Sequence, residues 1–140
     1  MPPEMSTPLL RGQREPLANR RGRARVGSVT ANVAGLRLHM HTATYPDGRL
    51  AELFIRTKHG DSTTRGLLGV IARLASVALQ CGTPLETVVE VFIKQRFEPY
   101  GVVSDHDRIR MCNSVIDYVG RELAITFLGR DDLAHTAAAP

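Results

Sequence analysis

The apolar residues of this chain change their spacing once, and that change limits the fold more than any other feature. Between residues 26 and 57 they alternate with polar ones: Leu36, Leu38 and Met40 are separated by Arg37, His39 and His41, and Leu53 and Ile55 continue the pattern. A period of two places one set on one face of a β-strand. From Leu67 onward the spacing becomes three and four, the period of an α-helix. Strands therefore come first and helices after. Ala34-Gly35 is placed to turn a first strand into a second, and Tyr45-Pro46-Asp47-Gly48 to turn the second into a third. Proline presets φ for such a corner, and Asp-Gly tolerates it.

Three helices are expected after the strands. The first carries Leu67, Leu68, Ile71, Leu74, Ala75 and Ala78, with capping side chains in Gly60-Asp61-Ser62-Thr63 ahead and Gly82 behind. The second starts at Thr83-Pro84-Leu85-Glu86, where Thr83 can cap, Pro84 fits the first helical position and Glu86 can reach back. It runs to about Gln95. The third starts near Asp105 or Asp107, places Ile109, Cys112, Ile116, Val119, Leu123 and Phe127 on one side, and stops at Gly129. The fold class is α+β: a three-stranded antiparallel meander packed against about three helices in a two-layer sandwich.

The 140 residues, 43% hydrophobic, suffice for one domain with a modest core. No apolar run approaches the roughly 18–20 residues of a membrane span. The prolines and Glu4 near the N-terminus do not suit a signal peptide. A soluble, cytoplasmic protein without membrane contact is the expectation. Cys81 and Cys112 form no CxxC pair, and buried apolar filler is the reading for both. Residues 1–24 read as a basic, solvated arm, residues 25–130 as the domain, and residues 131–140 as a frayed tail.

The formal charge of +4 is concentrated in that arm, where Arg20, Arg21, Arg23 and Arg25 follow Arg11 and Arg14. Such a cluster suits a phosphorylated ligand, an acidic partner or nucleic acid. The arm has no aromatic ring to stack a base, which disfavours nucleic acid. Gly60, Ser62, Thr63 and Thr64 could cradle the phosphate of a nucleotide at a helix start, although Asp61 already answers the helix dipole there. His39 and His41 point to one face of a strand, but no third ligand stands near them in sequence, so no metal site is assigned. In Gln95-Arg96-Phe97-Glu98-Pro99-Tyr100-Gly101, Pro99 helps end the second helix and Gly101 supplies a positive φ for the reversal. Phe97 reads as a core plug. Arg96 and Glu98 either pair with each other or meet a partner.

Several stretches together carry a resemblance: Tyr45-Pro-Asp-Gly-Arg-Leu-Ala-Glu-Leu-Phe-Ile55, Leu79-Gln-Cys-Gly-Thr-Pro-Leu-Glu86, Arg96-Phe-Glu-Pro99, Ser114-Val-Ile-Asp-Tyr-Val119, Arg121-Glu-Leu-Ala124 and Leu128 through His135. In this order they resemble the TSCPD domain, the C-terminal accessory domain of adenosylcobalamin-dependent (class II) ribonucleotide reductases. The chain departs from that pattern at Cys81, at Tyr100 and around His59-Gly60-Asp61-Ser62. The resemblance implies a link to deoxynucleotide supply for DNA synthesis, with a catalytic ribonucleotide reductase chain as partner. It also implies that adenosylcobalamin, the thiyl-radical cysteine and the reducing cysteine pair belong to the catalytic barrel. This chain is then expected to bind no cofactor, to lack the family's cysteine-rich tail, and not to catalyse the reduction alone. The expected role is a stand-alone accessory protein; the alternatives are a nucleotide- or phosphate-binding regulator and a nucleic-acid-binding protein that uses the arm.

Overall fold

The computed structural model describes residues 13–15, 17 and 25–136. The expected meander is present as β1 (Arg25–Val33), β2 (Leu36–Thr44) and β3 (Leu50–Thr57). Ala34 and Gly35 both take positive φ, 51° and 88°, as a two-residue hairpin of matching twist requires. At the next corner the Gly48 N–H donates to the Tyr45 carbonyl at 2.9 Å. A register shift at Ala43/Thr44 sets Leu50 opposite Thr44. This bulge lets both Leu50 and Ala51 be buried although they are neighbours on one strand.

The sheet then grows on the other side. Gly101–Ser104 forms β4, Met111–Cys112 forms β5, and the strand order is β3-β2-β1-β4-β5. The loop after β4, and β5 itself, occupy the segment expected to begin the third helix, and Asp105 leaves β4 with φ 62°. Ile109 and Cys112 are buried, but as parts of a loop and a strand, so their helical spacing is coincidental. Val102 exposed and Val103 buried is the period of two that a four-residue strand can show. The sheet is thus wider than the expected three strands.

The helices are α1 (Ser62–Gln80), α2 (Leu85–Ile93) and α3 (Val115–Leu128). Asp61 caps α1, accepting from the Thr64 N–H at 2.6 Å. The residue before α2 is Pro84, whose carbonyl accepts from Thr87 N–H at 3.0 Å, and no side chain caps this helix. Thr83 therefore does not play the capping role expected of it, and α2 stops two residues before Gln95. The start of α3 was readable in Ser114-Val-Ile-Asp117, a capping pattern that the apolar spacing from Ile109 obscured. Ser114 Oγ accepts from Asp117 N–H at 2.9 Å, and Asp117 Oδ2 reaches back to Asn113 N–H at 2.8 Å. Gly129, at φ 63°, ends α3 as expected.

Both exposed ends of the chain's order are tied to the body. β3 is an edge strand, and its free backbone groups meet α1: Ser76 Oγ accepts from Leu53 N–H at 2.8 Å, and Gln80 Nε2 donates to the Ala51 carbonyl at 2.9 Å. Of the arm, Glu15 N–H donates to the Gln80 carbonyl at 2.8 Å, and the Tyr45 hydroxyl donates to the Glu15 carbonyl at 2.7 Å. Beyond α3 a 3₁₀ turn covers Asp131–Leu133, and His135 N–H donates to the Arg108 carbonyl at 2.7 Å. Residues 131–136 are thus bonded to the loop between β4 and β5 where fraying was expected.

The core is one cluster between the inner sheet face (Ala31, Val33, Leu38, Met40, Leu53, Ile55) and the three helices. Gly120 is where α3 meets α2 most closely. A Cβ built there would lie 2.8 Å from Phe92 Cβ and 2.9 Å from Ile93 Cγ2. Gly120→Ala is expected to lower unfolding free energy by about 1–3 kcal/mol, measured by urea denaturation, because two packed helices must separate to admit one methyl. A neutral or stabilising result would contradict this packing.

Candidate functional site

The residues singled out from sequence do not converge on one place. Arg20, Arg21 and Arg23 lie outside the described residues, as does the side chain of Arg25, whose backbone opens β1. Gly60, Ser62 and Thr63 are exposed at the start of α1, and Gly60 takes φ 133°. The Thr64 amide that an anion would seek is already held by Asp61. That hydrogen bond is the main reason the Asp61 carboxyl lies below its ordinary value. Arg96 and Glu98 are both exposed, and the Arg96 guanidinium lies over the Tyr100 ring, 5.3 Å from its centroid. Phe97, expected in the core, is 42% exposed. With α2 ending at Ile93, the chain runs past the helix pair here, and Phe97 is held by its N–H donating to the Asn113 carbonyl at 3.2 Å.

His39 and His41 do share the outer face of the sheet, where Thr30 Oγ1 lies 2.9 Å from His39 Nδ1. Among the described residues no three His, Cys, Asp or Glu side chains come together as a metal site would need. Cys112 is buried in β5, where burial pushes its thiol up, the condition of an inert thiol. Cys81, expected as buried filler, is half-buried at the C-terminal cap of α1.

The structure assembles something else under α3. A cleft of about 400 Å³ opens between β1, β2 and the C-terminal half of α3, lined by Val29, Met40, Leu123 and Phe127 with Thr42, Thr126 and Glu122 among its polar groups. Glu122 also lines a neighbouring cleft with His106 and Ser28. Its carboxylate is nearly buried. Oε1 lies 3.2 Å from His106 Nε2, and Oε2 accepts from Thr126 Oγ1 at 2.9 Å.

The protonation of His106 follows from its other nitrogen. Arg108 and Ile109 each point a backbone N–H at Nδ1, both at 3.0 Å. A backbone amide can only donate, so Nδ1 carries a lone pair and the ring proton sits on Nε2. His106 is thus neutral and donates to Glu122, so this contact is a hydrogen bond to an anion and not an ion pair. Both ring nitrogens are thus engaged in hydrogen bonds within the chain. The ring also meets Tyr118 edge-on at 5.7 Å. Tyr118 is fully buried, and burial, with Glu122 next, raises its phenol above the ordinary value. The result is a carboxylate acceptor in the wall of a mostly apolar cleft, able to hold a donor group. Glu122, Thr126 and His106 were missed from sequence because they come from α3 and a distant loop. Only Glu122 fell within a quoted motif.

A long-range ¹H–¹⁵N spectrum is expected to show His106 as the neutral Nε2–H tautomer at neutral pH. An Nδ1–H pattern would overturn the assignment. His106→Phe keeps a ring beside Tyr118 but strands two amides and the Glu122 carboxylate, and should cost at least about 2 kcal/mol of stability in chemical denaturation.

Comparison with known proteins gives the lineage. The TSCPD domain matches residues 14–127. The chain is 41% identical over 123 residues to the vitamin B12-dependent ribonucleotide reductase of Agrobacterium fabrum, covering 88% of this chain and 9% of that protein. It is 40% identical over 114 residues to the reductase of the same name from Streptantibioticus cattleyicolor, covering 81% of this chain and 19% of that protein. It is 40% identical over 106 residues to that of Rhodopirellula baltica, covering 76% of this chain and 10% of that protein. The chain thus spans between 9% and 19% of the length of these relatives. No solved structure matches it. With the match running from Arg14 through β1 to Phe127 near the end of α3, the chain belongs to the TSCPD domain family.

Proposed function

We propose that this domain is a non-catalytic accessory to a cobalamin-dependent ribonucleotide reductase, acting by contact with the catalytic chain in the supply of deoxynucleotides. One observation carries the reading. Most of the chain, 76–88%, aligns with a segment that is 9–19% of each reductase, so the likeness is to one small domain of a large enzyme. The site chemistry supports it. His106 has both nitrogens committed, Cys112 is buried with a raised pKa, and the Glu122 cleft offers a fixed acceptor in place of a reactive pair. Adenosylcobalamin and the reacting thiols would then reside on the catalytic chain.

The test is to add the purified chain to a cobalamin-dependent reductase whose own TSCPD domain has been deleted. Stoichiometric co-elution and a saturable change in turnover are expected. No association at tens of micromolar, together with unchanged kinetics, would sink the proposal.

A further inference from the structure

One face of α1 is unpartnered within the described residues, and it is not the polar face that a surface helix ordinarily shows to water. Leu67 is 59% exposed, Val70 54%, Leu74 64% and Val77 37%. Their spacing of three, four and three is that of a helix–helix seam. The stripe runs roughly 15 Å along the helix at ~1.5 Å per residue. It cannot roll inward to bury itself. Ser76 and Gln80, both buried, are hydrogen-bonded to the Leu53 and Ala51 backbone of β3, which fixes the rotation of α1. Gly66 lies beside the stripe, and nothing stands within 4 Å of where its Cβ, or that of Gly69, would be. The chain's own packing does not require those glycines, although each weakens the helix.

We infer that this stripe is the docking surface through which the domain meets its partner, and that its occupant is an amphipathic helix with an acidic edge on another protein. The inference rests on the accessory reading above and names the face and the partner's chemistry. Charge selects the occupant. Helix α1 contains Arg65 and Arg73 and no acidic residue. Arg73 borders the stripe and shares a shallow cleft with Val77, Phe54, Arg14 and Glu52. A second copy fits poorly. Pairing two α1 helices antiparallel about their middle brings both Arg73 side chains to the same edge, and pairing them parallel sets Arg73 beside a helix with no acid to answer it. A foreign helix carrying leucines at the same spacing and glutamates along one edge would cover the apolar stripe and bring acid to its Arg73 border.

Two synthetic 21-residue helical peptides provide the test, with identical leucine stripes and either glutamate or lysine edges. Binding is read by fluorescence anisotropy and by amide chemical shifts of the intact chain. The glutamate-edged peptide should bind at least tenfold tighter and shift the amides from Leu67 to Val77. Leu74→Glu, at an exposed position that leaves the fold intact by circular dichroism, should abolish binding. Arg73→Glu should reverse the preference between peptides. Equal binding of both peptides, shifts elsewhere, or self-association of the chain through this face would overturn the proposal. The reductase assay separates its failure from that of the accessory reading. If Leu74→Glu loses peptide binding yet still alters turnover, the face is wrongly assigned and the accessory role stands. If the wild-type chain leaves the reductase untouched, the accessory role fails whatever the peptides do.

Discussion

Asp117 is the fully buried carboxylate around which the C-terminal half of this fold is arranged. Its Oδ2 accepts from the Asn113 amide at 2.8 Å and from Arg121 Nε at 3.0 Å. Arg121 in turn donates to the Leu133 carbonyl at 3.0 Å, and Ser114 Oγ, which caps the same helix turn, donates to the Gln95 carbonyl at 2.9 Å. The Asp117 charge thereby sets the end of β5 and, through Arg121, the segment after α3, while Ser114 ties the first turn of α3 to the exit from α2. Buried ion pairs are weak evidence for net stability, because desolvation offsets their attraction, yet breaking one typically costs about 3–5 kcal/mol. Its contribution here is geometric: α3 enters the core at a fixed place and rotation, and that placement sets Glu122 against the cleft.

A second polar clamp works at the opposite end of the sheet. β3 is an edge, and an edge strand offers unpaired backbone groups to any passing strand. Ser76 and Gln80 satisfy the Leu53 and Ala51 groups among these from within the chain. The hydrogen bonds that close the edge also orient α1, so its apolar stripe faces outward. The two features are physically linked. A helix that protects an edge by polar contacts cannot also turn all its apolar residues toward the core.

The relation to cobalamin-dependent reductases gives these features a common sense. The matched segment makes up 9–19% of each such protein, and in this chain His106 is hydrogen-bonded and Cys112 is buried. Among the described residues no helix is long and apolar enough to cross a membrane.

The sequence by itself determined the meander, its two turns, the first two helices and the glycine stop of the third, because those features rest on local periodicity and on residues with special backbone freedom. Leu36 to Met40, Ala34-Gly35 and Gly129 needed no partner to be read. Tertiary structure decided what depends on distant residues. β4 and β5 are too short for a period to outweigh the accidental helical spacing of Ile109 and Cys112, and they are strands only because β1 has a free edge to pair. Phe97 looked like core by residue type, but its burial depended on where α2 stopped. The Glu122 cleft joins two sheet strands and α3, with a loop histidine behind the carboxylate, a combination with no signature along the chain. The α1 stripe shows the limit most plainly. Leu67 and Leu74 were legible as apolar helical positions, but which side of the helix faces water was settled by two side chains, Ser76 and Gln80, finding the backbone of a strand more than twenty residues away.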